Sequence, residues 1–133
     1  MVRSMARLYG AGVTRAAPYV AVGGIVGALA RWGVLEALDR PTLALLIVNA
    51  AGSALLGVVV VRWPHPDEPK RLALGVGFCG GLTTFASFAL DVAWRLDHSD
   101  IGGATALTVG SFALAIPAHL IARRSAERSE IST

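Results

Sequence analysis

The chain has 133 residues, 54% of them hydrophobic and 16% charged, with a mean hydropathy of +0.59 and a formal charge of +3. Long apolar runs separated by short charged stretches identify an all-α integral membrane protein and leave no room for a separate catalytic module. The basic residues bracket those runs and form no patch interleaved with aromatics, so the charge does not point to nucleic acid.

A helix crossing a ~30 Å hydrocarbon core needs about 20 residues. Four segments fit, at 18–38, 42–61, 72–94 and 101–122, preceded by a basic tail at 1–17 and followed by a polar tail at 123–133. The first segment could instead be read as a signal peptide, with basic residues ahead of it and Ala28-Leu29-Ala30 as its cleavage site. That reading leaves only three spans. Within the first span Gly23 and Gly27 share a face, and Arg31 is close enough to the end to snorkel toward headgroups. Glu36 lies near its end.

The second span carries Asn49 with Ser53 at i+4, a polar strip on one face, and Ser53 with Gly57 repeats the small-residue spacing. Asn49 either bonds to a neighbouring helix or serves a polar path. The loop Trp63-Pro64-His65-Pro66-Asp67-Glu68-Pro69 reads as a surface turn.

The third span holds Gly77-Phe78-Cys79-Gly80-Gly81-Leu82-Thr83-Thr84-Phe85-Ala86-Ser87-Phe88. Each glycine weakens a helix by roughly 1 kcal/mol relative to alanine, so a break is expected here, and in lipid its carbonyls must find an ion, water or another chain. Phe85 and Phe88 lie three apart, and their positive ring edges suit a small anion. Asp91 continues that face, or simply pairs with Arg95 at i+4. Cys79 is the only cysteine, and His65, His98 and His119 show no ligand spacing.

In the fourth span Thr105, Thr108 and Ser111 repeat every three residues, as a hydroxyl ladder or as groups bonding back to their own helix. Pro117 is expected to kink the span. Four spans put both termini on one side with nine Lys and Arg residues, against Arg31, Arg40 and Arg95 on the other, which predicts cytoplasmic termini. The small-residue faces read as packing within the bundle or as a dimer contact.

Gly23 through Trp32, Val48-Asn49-Ala50-Ala51-Gly52-Ser53 and Gly77 through Phe88 resemble the three signature stretches of the CrcB, or Fluc, fluoride channel family. The resemblance implies a passive, fluoride-selective channel in the cell (inner) membrane, relieving fluoride toxicity. It is built from two four-helix subunits inserted antiparallel, with a structural sodium ion (Na+) at the centre. By motif, the Gly80 and Thr83 carbonyls would hold sodium. Phe85, Phe88, Asn49, Thr84, Ser87, Thr108 and Ser111 would line the fluoride path, with Arg31 as the first-span arginine and Asp91 at the vestibule.

The chain departs from the family at several places. Leu45 stands where threonine is common, Ala86 where a hydroxyl is usual and Asp91 where glutamate is usual, and the fourth span has Phe112, Pro117 and His119 but no tyrosine. Nine basic residues against three favours one orientation, so the expected partner is a second, oppositely biased homologue in a heterodimer. A homodimer stays open, because without Arg3, Arg7 and Arg15 the count is six against three. Two rivals are a non-conducting assembly subunit and a proton-coupled transporter, for which Glu36 is the best carboxylate available. No combination of nucleophile, base and orienter suggests an enzyme.

Overall fold

The computed structural model describes the backbone of residues 2–131 and the side chains of residues 16–131; Met1, Ser132 and Thr133 of the two tails lie outside it. All of its regular structure is helical. Helix α1 runs Val2–Ala37 and α2 runs Pro41–Arg62. The third span begins with α3, residues 69–82, a turn of α-helix at Pro69–Arg71, a π-helical stretch at Leu72–Cys79 and a further turn at Gly80–Leu82. It resumes as α4, Phe85–Asp97, and the chain ends in α5, Ile101–Ile131.

Four apolar stretches in these helices are long enough to span a bilayer: Ala16–Ala37, Pro41–Arg62, Pro69–Asp97 and Ile101–Ile131. They match the four expected spans, and the outer helices run on into the two tails. Residues 2–17 continue α1 as helix, and 123–131 continue α5. Pro18 and Pro117 both lie inside continuous helices.

The break in the third span is present, but glycine does not make it. Gly80 stays helical, with φ −64° and ψ −37°, whereas Thr83 and Thr84 are extended. The glycines instead let backbones touch. A Cβ at Gly23 or Gly27 would strike the backbone of Ala73 or Phe78, and one at Gly77 or Gly81 would strike that of Val20 or Gly24. This ridge of bare backbone packs α1 against α3. Gly57 does the same for α2 and α5, since a Cβ there would lie 2.5 Å from the His119 carbonyl oxygen. These glycine faces are therefore spent inside the chain, as the bundle reading expects.

The small core sits where α2 meets α3 and α5. Ala44, Leu45, Val48, Val59, Cys79, Leu82, Ala104 and Leu107 are buried there. Leu45, 6% exposed, is part of this core. At one end of the bundle a polar cluster joins three elements: Arg95 Nε meets Asp91 Oδ1 at 2.9 Å, Nη1 meets Asp100 Oδ2 at 3.0 Å, and Nη2 donates to Thr42 Oγ1 at 3.1 Å. Thr42 Oγ1 in turn donates to Asp91 Oδ2 at 2.9 Å. A Schellman arrangement closes α4 beside it, with Ser99 at φ 61° and the Asp100 N–H bonded to the Arg95 carbonyl at 2.8 Å. At the other end Arg71 Nη1 donates to the carbonyls of Trp63 and Pro64, at 3.1 and 2.7 Å, and ties down the 63–68 loop.

Candidate functional site

The break is held open by one side chain. Thr84 N–H, which would close the next helical turn on the Gly80 carbonyl, donates instead to Asn49 Oδ1 at 3.1 Å. Because a backbone N–H can only donate, the Asn49 oxygen must face it, and this fixes the amide NH2 on the other side. Among the described residues no protein group accepts from that NH2. Thr84 also caps α4: its hydroxyl oxygen accepts from Ser87 N–H at 3.2 Å and its O–H donates to Ser87 Oγ at 3.2 Å. A donor-rich, electropositive helix end thus starts at the break.

Asn49 and Ser53 of α2, Thr83, Thr84, Phe85 and Phe88 of the third span, and Ser111, Phe112 and Ala115 of α5 line an open groove of about 250 Å³. The Phe85 and Phe88 rings are 5.8 Å apart between centroids and tilted by 42°. Phe85 is 78% exposed, so this groove has an aromatic wall largely uncovered by the described residues of its own chain. Aromatic rings, one free amide and the Ser53 hydroxyl can replace part of the hydration shell of a small anion, whereas the Thr83, Thr84 and Ser111 hydroxyls donate to protein oxygens.

The structure brings together Asn49, Thr84, Phe85, Phe88 and Ser111 from the expected path, and leaves out three other residues. Ser87 spends its contact on Thr84, Thr108 donates its hydroxyl back to the Ala104 carbonyl at 2.8 Å and does not line the groove, and Asp91 is in the Arg95 cluster. Ser111 lines the groove but donates its hydroxyl to Leu107 at 2.8 Å. The hydroxyl ladder is therefore mainly helix back-bonding. Asp91 takes its i+4 partner, the simpler of its two readings.

Arg31 does not snorkel. It is half-buried, and its Nη1 donates to the Thr83 carbonyl at 3.3 Å. Glu36 is exposed near the end of α1, and Leu45 and Ala86, two of the departures, lie outside the groove lining. Sequence reasoning missed the place of Phe112 and Ala115 in the lining, the role of Thr42, and a bond from His119 Nδ1 to the Ser53 carbonyl at 3.1 Å. An apolar residue lining a groove looks like any core residue in one sequence, and pairings 49 or 66 residues apart leave no local pattern.

Fold and groove together define a small four-span helical membrane protein built around an interrupted third helix. The chain belongs to the CrcB-like protein family (Camphor Resistance, CrcB), whose model matches residues 18–122. It is 35% identical over 108 residues to the "Fluoride-specific ion channel FluC" of Nitrobacter winogradskyi, covering 74% of this chain and 85% of the relative. It is 33% identical over 120 residues to "Fluoride-specific ion channel FluC 1" of Yersinia pseudotuberculosis, covering 82% and 94%. Its identity to the Rhodococcus jostii protein of the same name is 41% over 111 residues, covering 84% and 82%. This is a family of ion channels, not of enzymes.

Proposed function

We propose that this chain is a subunit of a passive, fluoride-selective channel of the cell membrane, which lets cytoplasmic fluoride out and so relieves its toxicity. The carrying observation is the groove at the break, where the oriented Asn49 amide, the Phe85 and Phe88 rings and the start of α4 converge on a face open to a partner. The names of the relatives support fluoride as the ion. A groove open on one side cannot insulate an ion from lipid, which supports a second subunit facing it. Fluoride efflux from vesicles holding the purified chain, with chloride as the comparison, tests the reading. Chloride flux equal to fluoride flux overturns the selectivity.

Opposite insertion of the two subunits is part of the proposal, as is a structural sodium ion at the break. The residues fit such an ion. Thr84 N–H is given to Asn49, so the Gly80 carbonyl lacks its helical donor, and the Thr83 carbonyl accepts only from Arg31 among the described residues. Uncharged oxygens of this kind suit a hard monovalent cation, which when bound would neutralise carbonyl ends left unpaired in a low-dielectric setting.

A heterodimer is the favoured form of the pair. With Arg31 turned into the break, nine basic residues stand against two at the opposite ends, Arg40 and Arg95, supporting one orientation with cytoplasmic termini. Relatives numbered 1 and 2 in their names are consistent with paired paralogues. Robust fluoride efflux by this chain alone would refute an obligatory heterodimer.

A further inference from the structure

Arg31 is a fixed cation at the break. A guanidinium keeps its charge at any accessible pH, and holding one inside a span is costly unless it is paired. Among the described residues the ion pairs are Asp91 with Arg95, Asp100 with Arg95, and Glu127 with Arg123, so no carboxylate neutralises Arg31. Its protein partner is the Thr83 carbonyl, 3.3 Å away, on the extended residue that ends α3. That oxygen is also one of the two assigned above to sodium. Two cations drawn to one carbonyl repel each other, and repulsion is strong where water is scarce.

We infer that Arg31 and sodium compete for the Thr83 carbonyl, so that Arg31 sets how much sodium the assembly requires. The guanidinium satisfies the break when sodium is absent and is displaced from the oxygen when sodium is present. The inference rests on the sodium reading of the break. It makes Arg31 a positioning residue with two opposed effects: support for the sodium-free protein and a penalty on sodium binding.

Thermal melts of the assembled two-subunit channel, carrying this chain as wild type or as Arg31→Gln, test this, titrating sodium chloride against N-methylglucamine chloride at constant ionic strength. A ligand that binds only the folded state stabilises by RT ln(1 + [L]/Kd), so the sodium concentration at which the melting temperature begins to rise, taken as the sodium midpoint, tracks the dissociation constant. Arg31→Gln should respond at a sodium concentration at least about tenfold lower than wild type, the direction set by removing a like charge near the ion. Without sodium, wild type should melt at the higher temperature. An unchanged midpoint, or a higher one in Arg31→Gln, overturns the competition while leaving the sodium reading standing. If neither protein distinguishes sodium from N-methylglucamine, the sodium reading fails and the competition fails with it. Should Arg31→Gln not fold, Arg31→Lys keeps the charge on a shorter stem. Its midpoint should then fall below wild type, and a midpoint at or above wild type refutes the idea.

Discussion

Replacing Asn49 with aspartate separates the two jobs of its amide. The oxygen accepts Thr84 N–H at 3.1 Å and holds the break; the NH2, on the other side of a residue that lines the groove, is the donor proposed for the ion path. Aspartate keeps an acceptor at the first position and puts a negative charge at the second. Two unit charges of like sign about 5 Å apart at an effective dielectric of about 20 repel by about 3 kcal/mol, which lowers anion passage by roughly two orders of magnitude. Asn49→Leu removes both jobs, and a half-buried N–H left unpaired costs about 1–3 kcal/mol. Fluoride efflux from vesicles, read by a fluoride electrode beside thermal melts, should therefore show both variants nearly silent, with Asn49→Asp melting closer to wild type than Asn49→Leu. Efflux by Asn49→Asp within about threefold of wild type would refute the reasoning. Asn49 would then be a cap alone and the groove would lie off the ion path.

Phe85→Ile should abolish most fluoride flux while shifting stability by less than about 0.5 kcal/mol, because the ring is 78% exposed in the single chain; unchanged flux would favour a non-conducting subunit. Gly57→Ala drives a methyl to 2.5 Å from the His119 carbonyl oxygen, a backbone atom that cannot rotate away. It should destabilise by about 1–3 kcal/mol in chemical denaturation, and a neutral result would show that α2 and α5 are free to separate. Gly80→Ala meets nothing within 4 Å in the single chain. It should leave monomer folding intact and weaken pairing, as read by crosslinking in membranes. Asp100 is held below the usual carboxylate range first by the Gly103 N–H and then by Arg95. A lowered folded pKa means stabilisation that is complete above the unfolded value of about 3.9 and is lost as pH falls through the folded pKa. Wild type should therefore melt above Asp100→Asn at neutral pH, with the gap closing in acid; a gap that persists in strong acid counts against the charge as its cause.

The spans were legible because membrane length and hydropathy are properties of contiguous sequence. The break was legible in place and not in cause. Glycine propensity located residues 77–81, yet Gly77 and Gly81 pack helically on the α1 backbone, and the chain leaves the helix at two β-branched threonines, of which Thr83 bonds back to the Cys79 carbonyl while Thr84 gives its N–H to Asn49 and its hydroxyl to Ser87. Asp91 and Arg95 were readable because i+4 pairing is local. Arg31 was not. Distance from the end of a span suggests snorkelling, whereas its direction depends on where the third helix places a carbonyl 52 residues away. The hydroxyl ladder failed for a related reason: spacing puts Thr108 and Ser111 near one face but does not say whether each hydroxyl turns to its own backbone.

The π-helical stretch at Leu72–Cys79 governs angular phase. A π turn takes more residues than the ~3.6 of an α turn, so whatever follows it is rotated less than the same number of α-helical residues would rotate it. Losing one residue while the stretch keeps its geometry would swing Thr83 and Thr84 by nearly one residue's ~100° around the axis, carrying one away from Arg31 and the other from Asn49. How many residues precede the threonines matters as much as which ones they are. In this stretch a single deletion would therefore be a larger event than most substitutions, since it misaims the break while keeping every side chain that forms it.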